Sequence, residues 1–263
     1  DGDGQHRILD IIATYNKAVE KNVSVITERK FDVKVPFKSK IGNSLSRFTQ
    51  ALSTYRYMRD NQCGLRAFPI SILPRMIKIR GDRYEYEMRV ITYLQLKELP
   101  YICMPVQTIY EDGNKTSHFR PIKDTLLIQG SIFGSGLVNL LTFFIGVLSA
   151  SLLYYLVFQN GSAPLSTALD FEVAVLCSSP IMLIFHLICS AIIHRPVRFQ
   201  RTLFRILIYQ IIFLLSLLIT VSFFTRICNF TIYGAYLLCL PLSLVPLYYL
   251  TKGIGLVFNY QEE

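Results

Sequence analysis

Residues 131–158 read SIFGSGLVNLLTFFIGVLSASLLYYLVF, a stretch without a charged side chain. A helix rises about 1.5 Å per residue, so about 20 apolar residues cross the roughly 30 Å of hydrocarbon in a bilayer. The stretch lies inside a longer region, residues 125–169, that also lacks Asp, Glu, Lys and Arg. It predicts a membrane-spanning helix and divides the chain into a polar half and a membrane half.

The charged residues are concentrated before this stretch. Residues 1–124 hold 21 of the 27 Lys and Arg and 14 of the 18 Asp and Glu. We therefore predict a polar domain over residues 1–124 and a membrane domain over residues 125–263. The net charge of +9 favours anionic partners such as lipid headgroups or a phosphorylated substrate. Nucleic acid is not an expected partner, because the basic residues are interspersed with acidic ones.

Four uncharged stretches are long enough to span a bilayer. We place them at Ser131–Phe158, Val173–Ile193, Leu203–Phe224 and Phe230–Leu250. The loop 159–170 has no Lys or Arg and should face outside, whereas the loop 194–201 has three Arg and should face the cytoplasm. With four spans, the polar half and the C-terminal tail both lie in the cytoplasm.

Two features near and within the spans have alternative interpretations. Residues 120–129 mix charged and apolar side chains, which suits either a short helix in the headgroup layer or a plain linker. His186 is an ionisable residue inside a predicted span, where such residues are often functional. We favour a neutral, hydrogen-bonded structural histidine.

The six cysteines do not indicate a zinc site or a disulfide framework. No pair has CxxC spacing, and four lie in or beside apolar spans. They are interpreted as small hydrophobic residues in a reducing compartment.

The polar half predicts alternating helices and strands. Helices are expected at Arg7–Asn22, Ser39–Arg59 and Tyr86–Glu98, and strands at Val23–Thr27, Gly64–Pro69 (or a turn) and Tyr101–Met104. This alternation favours an α/β layer architecture.

The polar half also carries an ordered set of motifs. They are DGDGQH (1–6), ITERKF (26–31), KSKIGN (38–43), DNQCGLRAF (60–68), YEYEM (84–88) and MPVQTIYEDGNKTSHFRPIKD (104–124). The set resembles family 2 glycosyltransferases of the dolichol-phosphate mannosyltransferase and polyprenyl-phosphate glycosyltransferase type. The resemblance implies an α/β GT-A-type domain, followed by an all-α, GtrA-like membrane domain of four transmembrane helices. The first strands and the nucleotide-base pocket of that family precede the first motif, so we expect the GT-A-type domain to be truncated at its N-terminus.

The opening motif is the expected metal site. Two carboxylates in a Gly-rich turn suit a hard divalent cation with oxygen ligands, although an Asp-x-Asp pair can also be an ordinary tight turn. The resemblance implies that Asp1 and Asp3 hold Mg²⁺ or Mn²⁺ against the diphosphate of a sugar donor, with Gln5 as a further ligand or a substrate contact. Asp3 is counted among the catalytic residues because the cation stabilises the leaving group.

Basic residues are the expected ligands of the acceptor phosphate. Arg66 lies in the apolar segment CGLRAF, so its guanidinium needs a compensating anion, which is either the phosphate or a structural partner such as Asp60 or a Glu. The resemblance favours the phosphate. Arg29 is expected to assist it, or else belongs to a solvated charge run, and Lys40 is a further candidate.

The remaining candidates should bind substrate. Glu87 in YEYEM suits sugar hydroxyls or an anchoring role better than general-base catalysis, because a lipid monophosphate with a second pKa of about 6 is already ionised. Four polar residues precede the membrane entry and should lie near a lipid phosphate, unless they form an ordinary polar loop. They are Asn114, Lys115, Ser117 and His118.

The resemblance implies inverting transfer of a sugar from a UDP- or GDP-linked donor to a polyprenyl phosphate. It places the protein in a bacterial plasma membrane, with the polar domain in the cytoplasm and a homo-oligomer as a further expectation. The alternative is a non-catalytic GtrA-like flippase or membrane anchor with a remnant transferase domain.

Overall fold

A computed structural model describes residues 6–29, 37–107, 120–159, 167–194 and 199–229. Nearer the C-terminus it describes residues 231, 235, 238, 242 and 244–253. These residues form two compact units, one from residues 6–135 with 252–253 and one from residues 136–251. Each unit is described separately.

The first unit begins with helix α1, Ile8–Lys21. Asn22 ends the helix with φ 50°, a left-handed conformation that Asn tolerates. Thr14 and Ala18 are buried, whereas the apolar residues at helical spacing stay exposed, with Ile8 74% exposed. The helix therefore packs through its small residues and leaves its apolar stripe uncovered by the described part of the unit.

A three-stranded sheet follows the order β2-β1-β3, where β1 is Ser24–Arg29, β2 is Arg66–Ala67 and β3 is Tyr101–Val106. Strands β1 and β3 are parallel, with Arg29 opposite Val106. Strand β2 is antiparallel to β1 and places Arg66 opposite Ile26. Parallel strands need a crossover connection, which the helices between β1 and β3 provide.

Three described helices lie between β1 and β3 in the chain. Helix α2 is Phe37–Thr54 and helix α4 is Tyr84–Leu96, with a 3₁₀ turn at Ile70–Ile72 and the short helix α3, Leu73–Met76, before α4. Helices α3 and α4 contribute to a buried apolar core formed by Ile26, Met58, Ile72, Met76, Val90, Ile91 and Leu94. Helix α2 packs against α4. The sequence predicted strands at β1 and β3, a strand or turn at β2, and the helices α1, α2 and α4, each to within five residues of its bounds.

The GT-A interpretation is wrong for this structure. The described residues are mainly helical and their sheet has three strands, so no GT-A domain is evident. Only three short runs before residue 125 had a strand pattern, and long amphipathic segments separate them. Those segments form helices. A resemblance of short motifs to the family therefore did not predict the fold of the described residues.

Helix α5, Pro121–Leu153, begins in the first unit. The Asp124 carboxylate accepts hydrogen bonds from Arg83 (3.0 Å) and Arg120 (3.1 Å). Ile128 and Ile132 are buried in one cluster with Met88. The start of α5 is thus a packed helix, and it belongs to the compact unit that extends to residue 135.

Three helices in the described part of the chain are long and apolar enough to cross a membrane, not four. These candidate spans are Gly136–Val157, Glu172–Ile192 and Thr202–Arg226. The expected fourth span, 230–250, falls largely outside the described residues, and the continuous helical segment described there is 244–253. The four-span prediction is therefore corrected to three for the residues that the structure describes.

The candidate spans belong to α5, to α6 (Thr167–Cys189) and to α7 (Phe199–Arg226). A π-helical turn, Tyr154–Gln159, continues α5, and another, Ser190–His194, continues α6. A Cβ on Gly146 would collide with the Met182 side chain, so the two helices approach closely there. His186 is buried and shares a hydrogen bond with Thr142 (3.1 Å), as expected for a structural histidine.

Helix α6 contains Pro180, which has no backbone N–H to donate to the carbonyl of Leu176. The Ser179 hydroxyl donates to that carbonyl instead, at 2.7 Å. The helix therefore keeps this carbonyl satisfied at the proline.

Candidate functional site

The carboxyl ends of β1 and β3 lie at one edge of the sheet, which we call the carboxyl edge. The first turn of α1 meets it, because the N–H of Gln107 donates to the Asp10 carboxylate at 3.3 Å. In open sheets with parallel strands, ligands bind outside the carboxyl ends of the strands. The carboxyl edge is therefore the candidate site.

Asp60 and Arg29 form a clamp at this edge. The Arg29 Nε donates to Asp60 Oδ2 at 2.6 Å and Nη2 donates to Oδ1 at 2.9 Å. The same carboxylate accepts from the backbone N–H of Arg29 (3.1 Å) and of Gln62 (3.0 Å). The bidentate pair fixes the loop 55–65 against the end of β1.

The clamp sets the protonation state of Asp60. Burial by itself would raise the pKa of the Asp60 carboxyl, but hydrogen bonds and charge from Arg29 outweigh it. The pKa of Asp60 therefore lies below its ordinary value of 3.8, and the carboxylate is ionised at neutral pH.

Arg66 is buried at the start of β2, with 5% of its side chain exposed. It donates to the carbonyls of Cys63 (2.9 Å), Glu87 (2.8 Å) and Asn61 (3.4 Å). Its Nη2 lies 3.3 Å from the Glu87 carboxylate, which is 35% exposed. Burial lowers the pKa of Arg66, and the charge of Glu87 opposes that change.

The sequence predicted a compensating anion for Arg66, and in this structure that anion is the Glu87 carboxylate. Three backbone carbonyls fix the plane of the guanidinium, so Arg66 holds the loop 60–66 beside the first turn of α4. Because Glu87 is the more exposed partner, it is the contact that an incoming anion could replace.

A buried amide network lies behind this loop. Asn61 Nδ2 donates to Gln50 Oε1 (2.5 Å) and to Ser46 Oγ (3.1 Å). Gln50 Nε2 donates to Gln95 Oε1 at 3.0 Å. Asn61 Oδ1 is buried and has no hydrogen-bond partner among the residues described, so this point of the loop has an open acceptor.

The cysteines near the edge are not activated nucleophiles. Burial and the neighbouring Glu28 carboxylate raise the pKa of the Cys103 thiol well above its usual value. Burial likewise raises the pKa of Cys63, which contacts the Thr27 hydroxyl at 2.9 Å. Both thiols therefore stay protonated at neutral pH, and thiolate chemistry is not expected of them.

The structure brings together three of the predicted site residues. Arg66 pairs with Glu87, and Arg29 reaches the same loop through Asp60. Lys40 lies in α2, but its side chain is not among those that the structure describes. The other predicted residues fall on undescribed parts of the chain and their roles stay predictions; they are Asp1, Asp3, Gln5, Asn114, Lys115, Ser117 and His118.

Three undescribed segments are adjacent in sequence to described residues at or near the carboxyl edge. Residues 1–5 lead into the start of α1, residues 30–36 follow the last residue of β1, and residues 108–119 follow Gln107. Arg29 and Gln107 lie at the carboxyl edge, and Asp10 in the first turn of α1 contacts it. In the described ranges, no group of three or more His, Cys, Asp or Glu side chains is placed to hold a metal ion.

Sequence reasoning missed the structural roles of Asp60, Gln50 and Gln95. Asp60 was considered only as a partner of Arg66, whereas its bidentate partner is Arg29. The two glutamines lie on helices, where polar residues usually face water, and nothing in their spacing distinguishes them. The role of Asp60 could have been inferred from its position, because an acidic residue just before an apolar segment needs a partner when it is buried.

The chain has a distant similarity to a curated protein. No family model matches the chain, and no solved structure matches it significantly. The chain is 28% identical over 121 residues to the uncharacterized protein MJ1222 of Methanocaldococcus jannaschii. The match covers 43% of this chain and 49% of MJ1222, so the chain spans about half the length of the curated relative it matches.

Proposed function

We propose that this chain is part of a membrane glycosyltransferase that moves a sugar from a UDP- or GDP-linked donor to a polyprenyl phosphate. The observation that carries the proposal is the cluster of Arg29, Asp60, Arg66 and Glu87 at the carboxyl edge. The chain also has three helices apolar enough to cross a bilayer, which suits a lipid acceptor. Loop charges favour a polar unit on the cytoplasmic face of the membrane, and the family resemblance implies a bacterial plasma membrane.

The reaction is a displacement at the anomeric carbon of the sugar. An oxygen of the acceptor phosphate attacks that carbon, the bond to the nucleoside diphosphate breaks, and the configuration inverts. A phosphate monoester has a second pKa of about 6, so it is already largely ionised at cytoplasmic pH. The protein therefore has to orient the acceptor and stabilise charge rather than remove a proton.

The two arginines have distinct proposed roles. Arg66 is fixed by three carbonyls, and exchange of Glu87 for the acceptor phosphate would leave a rigid cation facing that phosphate. Arg29 donates to both Asp60 oxygens through one edge of its guanidinium, so its charge is balanced within the pair and it holds the loop in place. Arg66 is thus the proposed phosphate contact and Arg29 a positioning residue.

The donor diphosphate would be held by the opening acidic pair. Asp1, Asp3 and Gln5 offer hard oxygen ligands, which fit Mg²⁺ or Mn²⁺. When bound, such a cation would neutralise charge on the departing diphosphate. The placement of α1 at the carboxyl edge supports this assignment, because residues 1–5 directly precede that helix.

The test is transfer of labelled sugar from nucleotide donors into the lipid phase by the full-length protein in membranes. Chelation and Asp3→Ala should each lower the rate by at least about 100-fold, because they remove charge stabilisation of the leaving group. Glu20→Ala, at an exposed carboxylate on α1, is the matched control and should leave the rate unchanged. Full activity of the Asp3→Ala protein would contradict the proposal.

One observation favours a second function, a lipid-linked-sugar flippase or membrane anchor. Arg29 and Arg66 already have carboxylate partners within the chain, which suits a polar unit that no longer binds phosphate. In the same membranes, translocation of a fluorescent lipid-linked sugar without any sugar transfer would support this alternative.

A further inference from the structure

Residues 70–80, which we call the basic–apolar segment, present apolar side chains to solvent. Ile72 and Met76 are buried in the core of the first unit. Ile70 and Ile77 point the other way, with 84% and 82% of their side chains exposed, and Leu73 is also exposed. The segment therefore packs through one side and exposes isoleucines on the other, at a cost in solvation unless something covers them.

Three cations flank these isoleucines. Arg75, Lys78 and Arg80 are exposed. Within the part of the chain that the structure describes, none of the three forms an ion pair. Apolar side chains among unpaired cations are the pattern of surfaces that bind anionic lipid, where the cations meet headgroups and the apolar groups enter the acyl boundary.

The residues that follow the basic–apolar segment contact the start of α5, where the chain becomes apolar. Arg83, three residues beyond Arg80, pairs with Asp124 at 3.0 Å. Asp124 is the last charged residue before the uncharged region 125–169, so it marks the polar boundary of the first span. The first turns of α5 continue the pattern, with Ile122 and Leu126 exposed beside Lys123.

We propose that the basic–apolar segment docks into the headgroup layer of an anionic bilayer. Ile70 and Ile77 would insert at the acyl boundary, and Arg75, Lys78 and Arg80 would pair with lipid phosphates. The chain is already tethered to a membrane by its candidate spans, so docking adds little loss of translational freedom. The proposal is independent of the proposed enzymatic function.

The chain has no tryptophan, which allows a single-reporter experiment. The full-length I77W protein is reconstituted into bilayers of phosphatidylglycerol with brominated acyl chains, and tryptophan quenching is measured. The matched control is E20W, at an exposed position on α1. We expect quenching of I77W to exceed that of E20W by about threefold or more, because bromine quenches only at short range within the bilayer.

Two further measurements identify the source of the effect. Replacing phosphatidylglycerol by brominated phosphatidylcholine, or adding R75Q, K78Q and R80Q to I77W, should lower quenching toward the E20W level. Equal quenching of I77W and E20W in anionic bilayers would overturn the proposal. A blue-shifted I77W emission that bromine does not quench would also overturn it and would indicate a protein partner on this surface.

Discussion

Asp60 accepts four hydrogen bonds, two from the Arg29 guanidinium and two from backbone N–H groups. In Asp60→Asn the carboxylate charge is lost and Arg29 is left in a partly buried position without its counterion. We expect the free energy of unfolding to fall by about 3 kcal/mol, in the range for breaking one half of a buried ion pair. Thermal unfolding in detergent, followed by tyrosine fluorescence, measures this loss.

Lys21→Gln is the control for that substitution. The Lys21–Glu20 pair is 4.0 Å apart and exposed. Its loss should change the free energy of unfolding by less than about 1 kcal/mol. Equal effects of the two substitutions would show that the Arg29–Asp60 clamp does not stabilise the loop.

The same carboxyl predicts a pH dependence. The folded-state pKa of Asp60 is below its ordinary value of 3.8, so its stabilising contribution is complete above that pH and declines as the pH falls below it. The contribution of Glu28 to stability changes with pH in the opposite direction, because burial raises the pKa of its carboxyl group. The difference in melting temperature between wild type and Asp60→Asn isolates Asp60 and should shrink below about pH 3.8. A difference that stays constant between pH 6 and pH 3, spanning about three decades of proton concentration, would contradict this assignment.

The sequence predicted that certain buried groups require a counterion, but it did not predict which residue supplies the counterion. It showed that Arg66 must have an anion, because a guanidinium in an apolar segment is costly to bury. It did not show that Glu87 supplies the anion, because the contact joins residues 21 positions apart across β2 and α4. Such pairings depend on how the elements pack.

At the element scale, Gly81 precedes α4 with φ +139°, a conformation that side chains disfavour. A Cβ there would lie 3.0 Å from the backbone of Tyr86. Gly81→Ala should therefore destabilise the first unit by about 1–3 kcal/mol. The measurement is the thermal unfolding temperature of the full-length protein in detergent.

Gly42→Ala is the matched control for Gly81→Ala. Gly42 lies inside α2, and a Cβ there meets nothing within 4 Å. It should stabilise the protein by about 0.5–1 kcal/mol, because Ala is the better helix former. Similar destabilisation by both alanines would show that the backbone at Gly81 is not under constraint.

The strength of the local pattern decided which elements could be predicted. Helix α1 follows from five apolar residues at helical spacing, and β1 from a β-branched run. The pattern did not show that the apolar stripe of α1 is exposed, because periodicity gives a face and not its neighbour. That β2 is a strand rather than a turn also needed tertiary information, since it has only two residues.

At the scale of the whole molecule, loop charge predicts topology. Loop 159–170 has no Lys or Arg and loop 194–201 has three Arg, so the first should face outside and the second the cytoplasm. In a cysteine-free background, Ser162→Cys should react with an impermeant maleimide in intact cells. Arg198→Cys should react only after the membrane is opened, and the reverse pattern would contradict the proposed orientation.

The long apolar helices after residue 135 were predictable, whereas the fold of the part before them was not. Missing charge over 125–169 predicts a helix apolar enough to cross a membrane without any knowledge of packing. The motif set resembles a glycosyltransferase family, yet the described residues form a small sheet among helices. Motifs record local chemistry, and the architecture around them depends on contacts that short segments do not specify.

Ser179 and Pro180 give α6 a property that a regular helix lacks. Bending an ordinary span strains or opens a backbone hydrogen bond inside hydrocarbon, which is unfavourable. Here that bond is already replaced by a hydroxyl that moves with the chain. We therefore expect the second candidate span to tolerate a change of curvature at this point without exposing the carbonyl to lipid.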